Sequence, residues 1–184
     1  MKFVRIIEGC DHLWAVETRE NGQIVDELTL LFRNWNDGEY LLDFFMDNFN
    51  DLKNYFHIER LDEAINDTFE DSEALQELVL DFPYTEHLDE LFKPLDITDA
   101  HSRELSRGKA RNWNRERHAS WLRIYALRLE PNVYVVTGGA IKLTRTMQER
   151  EHTDLELRKL NRCKAFFKEN GIFDRDSFVE LTNE

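Results

Sequence analysis

Three prolines and seven glycines in 184 residues leave little material for linkers. No Gly/Ser tract, low-complexity segment or internal repeat interrupts the chain. A second independent domain is therefore not required. The sequence reads as one α+β domain over residues 1–184, long enough to bury a real core. Only two cysteines occur, Cys10 and Cys163, and their wide separation reads as two reduced thiols rather than a disulfide framework. No apolar run approaches the ~20 residues of a membrane span. The opening residues MKFVRIIEGCD lack the apolar stretch of a secretory signal, so the expected location is the cytoplasm, with no membrane partner.

Signatures of familiar chemistry are scarce too. Neither a phosphate-binding Gly-rich loop nor a Gly-x-Ser-x-Gly or catalytic-cysteine motif is present. Cys10-x-His12 is an isolated pair, whereas zinc takes three or four ligands; neither a metal nor a cofactor is expected. Gly138-Gly139 sits inside a β-type run with no helix following directly, so it reads as a bulge or a close backbone approach rather than a phosphate cradle.

What the first half lacks is positive charge. Residues 1–100 hold 25 Asp/Glu against 7 Lys/Arg, a balance of −18, and residues 101–184 hold 12 against 17, a balance of +5. The excess is concentrated in 101–128, where Arg103, Arg107, Lys109, Arg111, Arg115, Arg117, Arg123 and Arg128 face only Glu104 and Glu116. Such a strip can bind phosphate, or it can dock on the acidic half of its own chain.

The pattern of apolar residues gives the elements. Lys2–Glu8, Leu13–Thr18 and Gln23–Phe32 read as strands of a small antiparallel meander, with Asn21-Gly22 as a hairpin turn. Asp37 is a candidate N-cap for an aromatic-rich helix over Glu39–Phe56. Glu59–Phe69 and Ser72–Leu80 read as two helices with a break at Asp71-Ser72. Pro83 ends that pair, and Thr85–Phe92 follows as a short helix, with Leu95–Ala100 as a connector. Trp121–Leu129 and Val133–Leu143, joined by Glu130-Pro131-Asn132, form a second hairpin. In it Leu122, Ile124 and Ala126 face one way, and Trp121, Arg123, Tyr125 and Leu127 the other. Thr153-x-x-Glu156 is a capping box for a helix stopped at Asn170-Gly171, and a last short helix spans Phe173–Leu181. The expected fold is an antiparallel sheet built from the N- and C-terminal hairpins, with several helices packed on one face.

Chemistry is hinted at in one region only. Cleavage of RNA at its own 2′-hydroxyl needs proton transfer at two oxygens and cations to stabilise a charged phosphorane. His118, Arg123, Tyr125, Lys142, Arg145 and His152 have side chains suited to those tasks and lie on or near the second hairpin.

Arg123-x-Tyr125, then Tyr134-Val135-Val136, then Lys142-x-x-Arg145 and a following helix resembles the C-terminal half of RelE/HigB-type toxins. These are small α+β proteins of bacteria and phages that cut messenger RNA on the ribosome and are held by an antitoxin. The resemblance covers roughly 40 residues. It implies a metal-independent mRNA interferase with Arg123, Tyr125, Lys142 and Arg145 as catalytic residues, RNA or the ribosome as partner, and an antitoxin-like protein as inhibitor. Arg107, Lys109, Arg111, Arg115, Arg117 and His118 would then contact the RNA. Those toxins usually carry two adjacent lysines where this chain has Lys142-Leu143. The alternative is a non-enzymatic interaction or structural protein whose basic strip docks on acidic surfaces. Cations that converge and stay exposed favour the first reading; cations engaged by Asp or Glu favour the second.

Overall fold

The computed structural model describes residues 1–80, 87–102 and 105–183. Pro83, the start of the helix expected at Thr85, and Arg103 and Glu104 of the basic strip lie outside them.

The chain opens with strands β1 (Phe3–Arg5), β2 (Leu13–Glu20) and β3 (Gln23–Asp26). These form the expected antiparallel meander, with Asn21 at φ +50° and Gly22 at φ +81° in the turn. The third run does not stay extended to Phe32. Asp26 accepts from Thr29 N–H at 2.8 Å and caps helix α1 (Glu27–Trp35). The helical spacing of Leu28, Leu31, Phe32 and Trp35, all buried, explains the switch, because one side of a helix carries all four to the core. Asp37 caps α2 (Gly38–Asp47) as expected, accepting from Glu39 and Tyr40 N–H. This helix breaks at Asn48, followed by a single turn, α3 (Phe49–Asp51), and a π-turn over Leu52–Phe56 that His57 closes at φ +57°.

The two helices expected around Asp71-Ser72 are one, α4 (Leu61–Leu80). Ser72 caps nothing; it is buried and accepts from Asn36 Nδ2 at 2.9 Å. Asp67 and Asp71, buried beside it, face the arginines of the later loop rather than solvent. After α4 come α5 (Leu88–Leu91), β4 (Phe92–Pro94), α6 (Ile97–His101), β5 (Ser106–Ala110), β6 (Leu122–Glu130) and β7 (Val133–Ile141), then α7 (Glu151–Glu169) and α8 (Arg175–Asn183). The segment 95–100 is thus not a plain connector. The capping box lies seven residues earlier than expected: Thr146 and Glu149 form it around a 3₁₀ turn, while the Thr153 hydroxyl donates to the Met147 and Arg150 carbonyls. Gly171 at φ +69° ends α7, and Asp174 caps α8 through Ser177 N–H at 2.9 Å.

Among the described residues, seven strands form one mostly antiparallel sheet in the order β1-β2-β7-β6-β5-β4, with β3 beside β2. Its one parallel join, β2 to β7, unites the acidic N-terminal half with the basic half. The fold is α+β, but the helices cover both faces. Leu122, Ile124 and Ala126 of β6 share a core with α1, α2 and α4, while Tyr125, Leu127 and Leu129 share a second core with α7 and α8. The lower half of β6–β7 is apolar on both sides, which requires cover on both sides. Trp121, placed with Arg123 by simple alternation, precedes β6 and packs with the α2 core against Phe45 and Phe56.

Gly138 and Gly139 do mark a bulge. Tyr125 pairs with Gly138 and Ala126 with Val136, leaving Thr137 as the extra residue. Gly138, at φ +151°, presses on α7: a Cβ there would lie 1.9 Å from Glu156 Oε2. Burial pushes the Glu156 carboxyl up from its ordinary 4.5 to about 7, helped by Glu27 and opposed by Lys159. A carboxyl held this high keeps a proton that the unfolded chain releases, so stability falls as pH rises from about 4.5 through 7. Glu156→Gln is expected to stabilise the protein by about 1 kcal/mol at pH 8 and to change little at pH 4.5, as read by thermal unfolding at both pH values. Equal effects at the two pH values would contradict this.

Candidate functional site

The uncovered part of the second face is where chemistry can occur. α7 and α8 leave the β4–β5 edge open, and a cleft of about 770 Å³ lies there, walled by Met147 and Leu157. Strand register builds its floor. Lys93 of β4 pairs with Lys109 of β5, and Lys109 with Tyr125 of β6, so the three form one row across the sheet. Directly paired residues point to the same side. Arg107, Lys109 and Arg111 alternate with Ser106, Gly108 and Ala110 along β5 and its end. The small residues sit against the first core: a Cβ on Gly108 would contact Phe92 and Tyr134 at 3.6 Å. Arg123 lies two residues before Tyr125 on β6, and Lys142 and Arg145 follow the end of β7. Seven cations line the cleft (Lys93, Arg107, Lys109, Arg111, Arg123, Lys142 and Arg145), against the single acid Asp96.

What holds these cations decides what the cleft can do. Arg107 is neutralised: its guanidinium reaches Asp99 at 3.0 Å and Asp96 at 2.8 Å. The other six form no ion pair among the described residues. Their donors are met, where they are met, by carbonyl oxygens. Arg123 Nη1 donates to Ser120 O at 2.5 Å and Leu122 O at 2.7 Å. Lys142 Nζ donates to the Thr144 and Arg145 carbonyls, and Lys109 Nζ to Leu95 O at 3.3 Å. A carbonyl satisfies an N–H without cancelling its charge, so the cleft keeps a strong positive potential.

The cations therefore weaken one another. Burial and the Arg111 charge bring Arg123 down to about 10. Burial, Arg123, Lys109 and Arg111 bring Lys142 down to about 8, with Glu149 opposing. Lys109 is lowered by burial, Arg123 and Arg111. Two buried polar atoms remain unmet at the same place. The Tyr125 hydroxyl is buried without a hydrogen-bond partner among the described residues, and burial pushes its ionisation well above the ordinary phenol. Arg111 Nε is also buried and unbonded, while its guanidinium lies 4.2 Å over the Trp113 ring. An anion with several oxygens would satisfy these groups together.

The residues expected to act together are thus only partly brought together. Arg123, Tyr125, Lys142 and Arg145 do meet in this cleft, joined by Lys109 and Arg111. Arg115, Arg117 and His118 do not. They turn to the other side and dock on α4, where Asp67 Oδ1 lies 3.4 Å from Arg115 and 2.9 Å from Arg117, and Asp67 Oδ2 lies 2.9 Å from His118 Nε2. Glu63 also engages Arg117, at 3.3 Å. His152 is away from the cleft, its Nε2 at 2.9 Å from Ile141 O. Lys93 and Trp113 belong to the site and were missed; the alternation of Arg107-x-Lys109-x-Arg111 with small residues was the signal for the strand that places them. Because Asp67 serves two arginines and the His118 ring while 1% exposed, Asp67→Asn should cost on the order of 2 kcal/mol in denaturant unfolding. It should also speed proteolysis of the 111–120 loop.

Among the described residues, no group of three or more His, Cys, Asp or Glu side chains is placed to hold a metal ion. No described helix is long and apolar enough to cross a membrane. Comparison of the chain with protein-family models, curated proteins and solved structures returned no match.

Proposed function

We propose that the cleft binds the sugar–phosphate backbone of RNA, and that the protein is a RelE/HigB-like, toxin-related RNA-binding or RNA-cleaving protein acting in the cytoplasm. One observation carries the reading: six cations that form no ion pair among the described residues, three of them (Lys109, Arg123 and Lys142) held by carbonyl oxygens, converge with an unpartnered tyrosine hydroxyl in one cleft. Phosphodiester oxygens supply what these donors lack.

The same set suits phosphodiester cleavage. The 2′-oxygen attacks phosphorus and gives its proton to water, while Arg111, Arg123 and the Tyr125 hydroxyl stabilise the charge gathering on the phosphorane oxygens. As the P–O5′ bond breaks, Lys142 protonates the leaving oxygen. With burial and its cationic neighbours lowering its ionisation to about 8, Lys142 still carries a proton at pH 7 and gives it up more readily than an ordinary lysine. The products are a 2′,3′-cyclic phosphate and a 5′-hydroxyl. The ribosome is a candidate partner, and an antitoxin-like protein would inhibit by presenting carboxylates to the cleft.

The second reading, a non-enzymatic protein whose basic strip docks on acidic surfaces, is supported for one portion of the strip. Arg115, Arg117 and His118 dock on the chain's own α4. The test is cleavage of labelled RNA in EDTA, with and without ribosomes, by the native protein and Lys142→Ala. Cleavage to cyclic-phosphate ends that is lost in the folded variant, and that slows in the native protein as pH rises through about 8, supports the enzyme. Binding without cleavage leaves an RNA-binding protein. No binding even at low salt removes the RNA reading and leaves the interaction protein.

A further inference from the structure

Trp113 stands apart from the other tryptophans. Trp14, Trp35 and Trp121 are 4%, 1% and 1% exposed, whereas Trp113 keeps 37% of its surface open. It is not a loosely held surface residue. Its indole N–H donates to Leu91 O at 2.8 Å, the Arg111 guanidinium lies over its ring, and it lines the cationic cleft. The protein thus fixes an aromatic surface beside groups suited to phosphate, and that surface has no partner of its own kind among the described residues. Arg111 links the two functions. It stacks on Trp113 and lines the same cleft as Arg123 and Lys142, so the platform for a base and the cations for a phosphate share one cleft.

We infer that the cleft takes single-stranded RNA and that an unpaired base stacks on the Trp113–Arg111 platform while its phosphate occupies the cation floor. The inference rests on the RNA reading above and adds the strandedness of the ligand. Stacking of this kind needs a base free of its helix, because a paired base hides both faces between its neighbours. A backbone contact alone would accept a duplex equally well.

Tryptophan emission reads the contact directly, since Trp113 is the exposed indole. The titrants are a single-stranded 2′-O-methyl RNA, which cannot be cut through its 2′-oxygen, the matching duplex, and a baseless sugar–phosphate chain of equal length. The single strand should quench emission and bind about ten-fold tighter than the baseless chain, the scale of one base stacked on an aromatic side chain. Trp113→Leu should abolish the quench and bring the two affinities together. Trp113→Phe, which keeps a stacking ring but not the hydrogen bond to Leu91, should retain the preference for bases. Equal binding of single-stranded and baseless chains with no quench would overturn the stacking inference and leave the phosphate site intact. Tighter binding of the duplex would overturn the single-strand assignment. Binding of none of the three would overturn the RNA reading itself, and the inference with it.

Discussion

Gly139→Ala is expected to cost more than about 3 kcal/mol and to lower the melting temperature by roughly 10 °C, or to prevent folding. A Cβ at this position would lie 2.3 Å from the Arg123 carbonyl oxygen and 2.7 Å from Leu31 Cδ1. The first neighbour is backbone of the paired strand, so relief requires β6 and β7 to separate. Both cores meet at these strands, and Arg123 would move with its carbonyl, so a variant that still folds should also lose affinity for polyanions. Gly171→Ala is the control. Nothing lies within 4 Å of a Cβ there, and only the left-handed backbone at φ +69° opposes the change, at a cost of about 1 kcal/mol. Equal melting temperatures for the two variants would mean that the bulge is not packed as described.

The largest functional effect is expected from Lys109→Gln/Lys142→Gln. Removing two unneutralised cations from one cleft should weaken RNA binding by about 100-fold at moderate salt. The same double variant should be as stable as the native protein at pH 7 or more so, because each lysine is lowered partly by its cationic neighbours. Lost binding with retained or raised melting temperature is the signature of a site organised for its ligand at some expense of stability. A structural role for these lysines would give the opposite pairing, with stability falling.

Much of the fold was legible because strong periodicity carried it. The second hairpin, the Asp37 cap, the glycine bulge and the stop at Asn170-Gly171 each follow from local chemistry that tertiary contacts reinforce. The misreadings have equally local causes. Asp71-Ser72 has the composition of a helix break, yet both residues are buried and serve partners distant in sequence, Arg115 and Asn36. Gln23–Phe32 alternates at first and then turns helical, and the β-type residues at its start masked the later spacing of Leu28, Leu31, Phe32 and Trp35. Helices on both faces were missed because Arg123 and Tyr125 suggested an open face; the apolar Leu127, Leu129, Val133 and Val135 below them need the cover of α7 and α8.

The candidate site was legible in kind rather than in membership. A charge count locates a basic strip but cannot say which cations find carboxylates. That division depends on α4 presenting Asp67 and Asp71 to one end of the strip, and on β5 and the residue after it presenting Lys109 and Arg111 to the cleft. Lys93 and Trp113 join the site only through sheet pairing and the Leu91 carbonyl, neither of which a single sequence displays.

The most direct test of the cationic cleft is the salt dependence of binding to single-stranded 2′-O-methyl RNA, measured for the native protein and for Lys109→Gln/Lys142→Gln. If most of the unneutralised cations meet phosphates, log K should fall with log[salt] at a slope of about −3 to −4, and the double variant should be shallower by about 1.4. A native affinity indifferent to salt, or a variant with the native slope, would contradict the account.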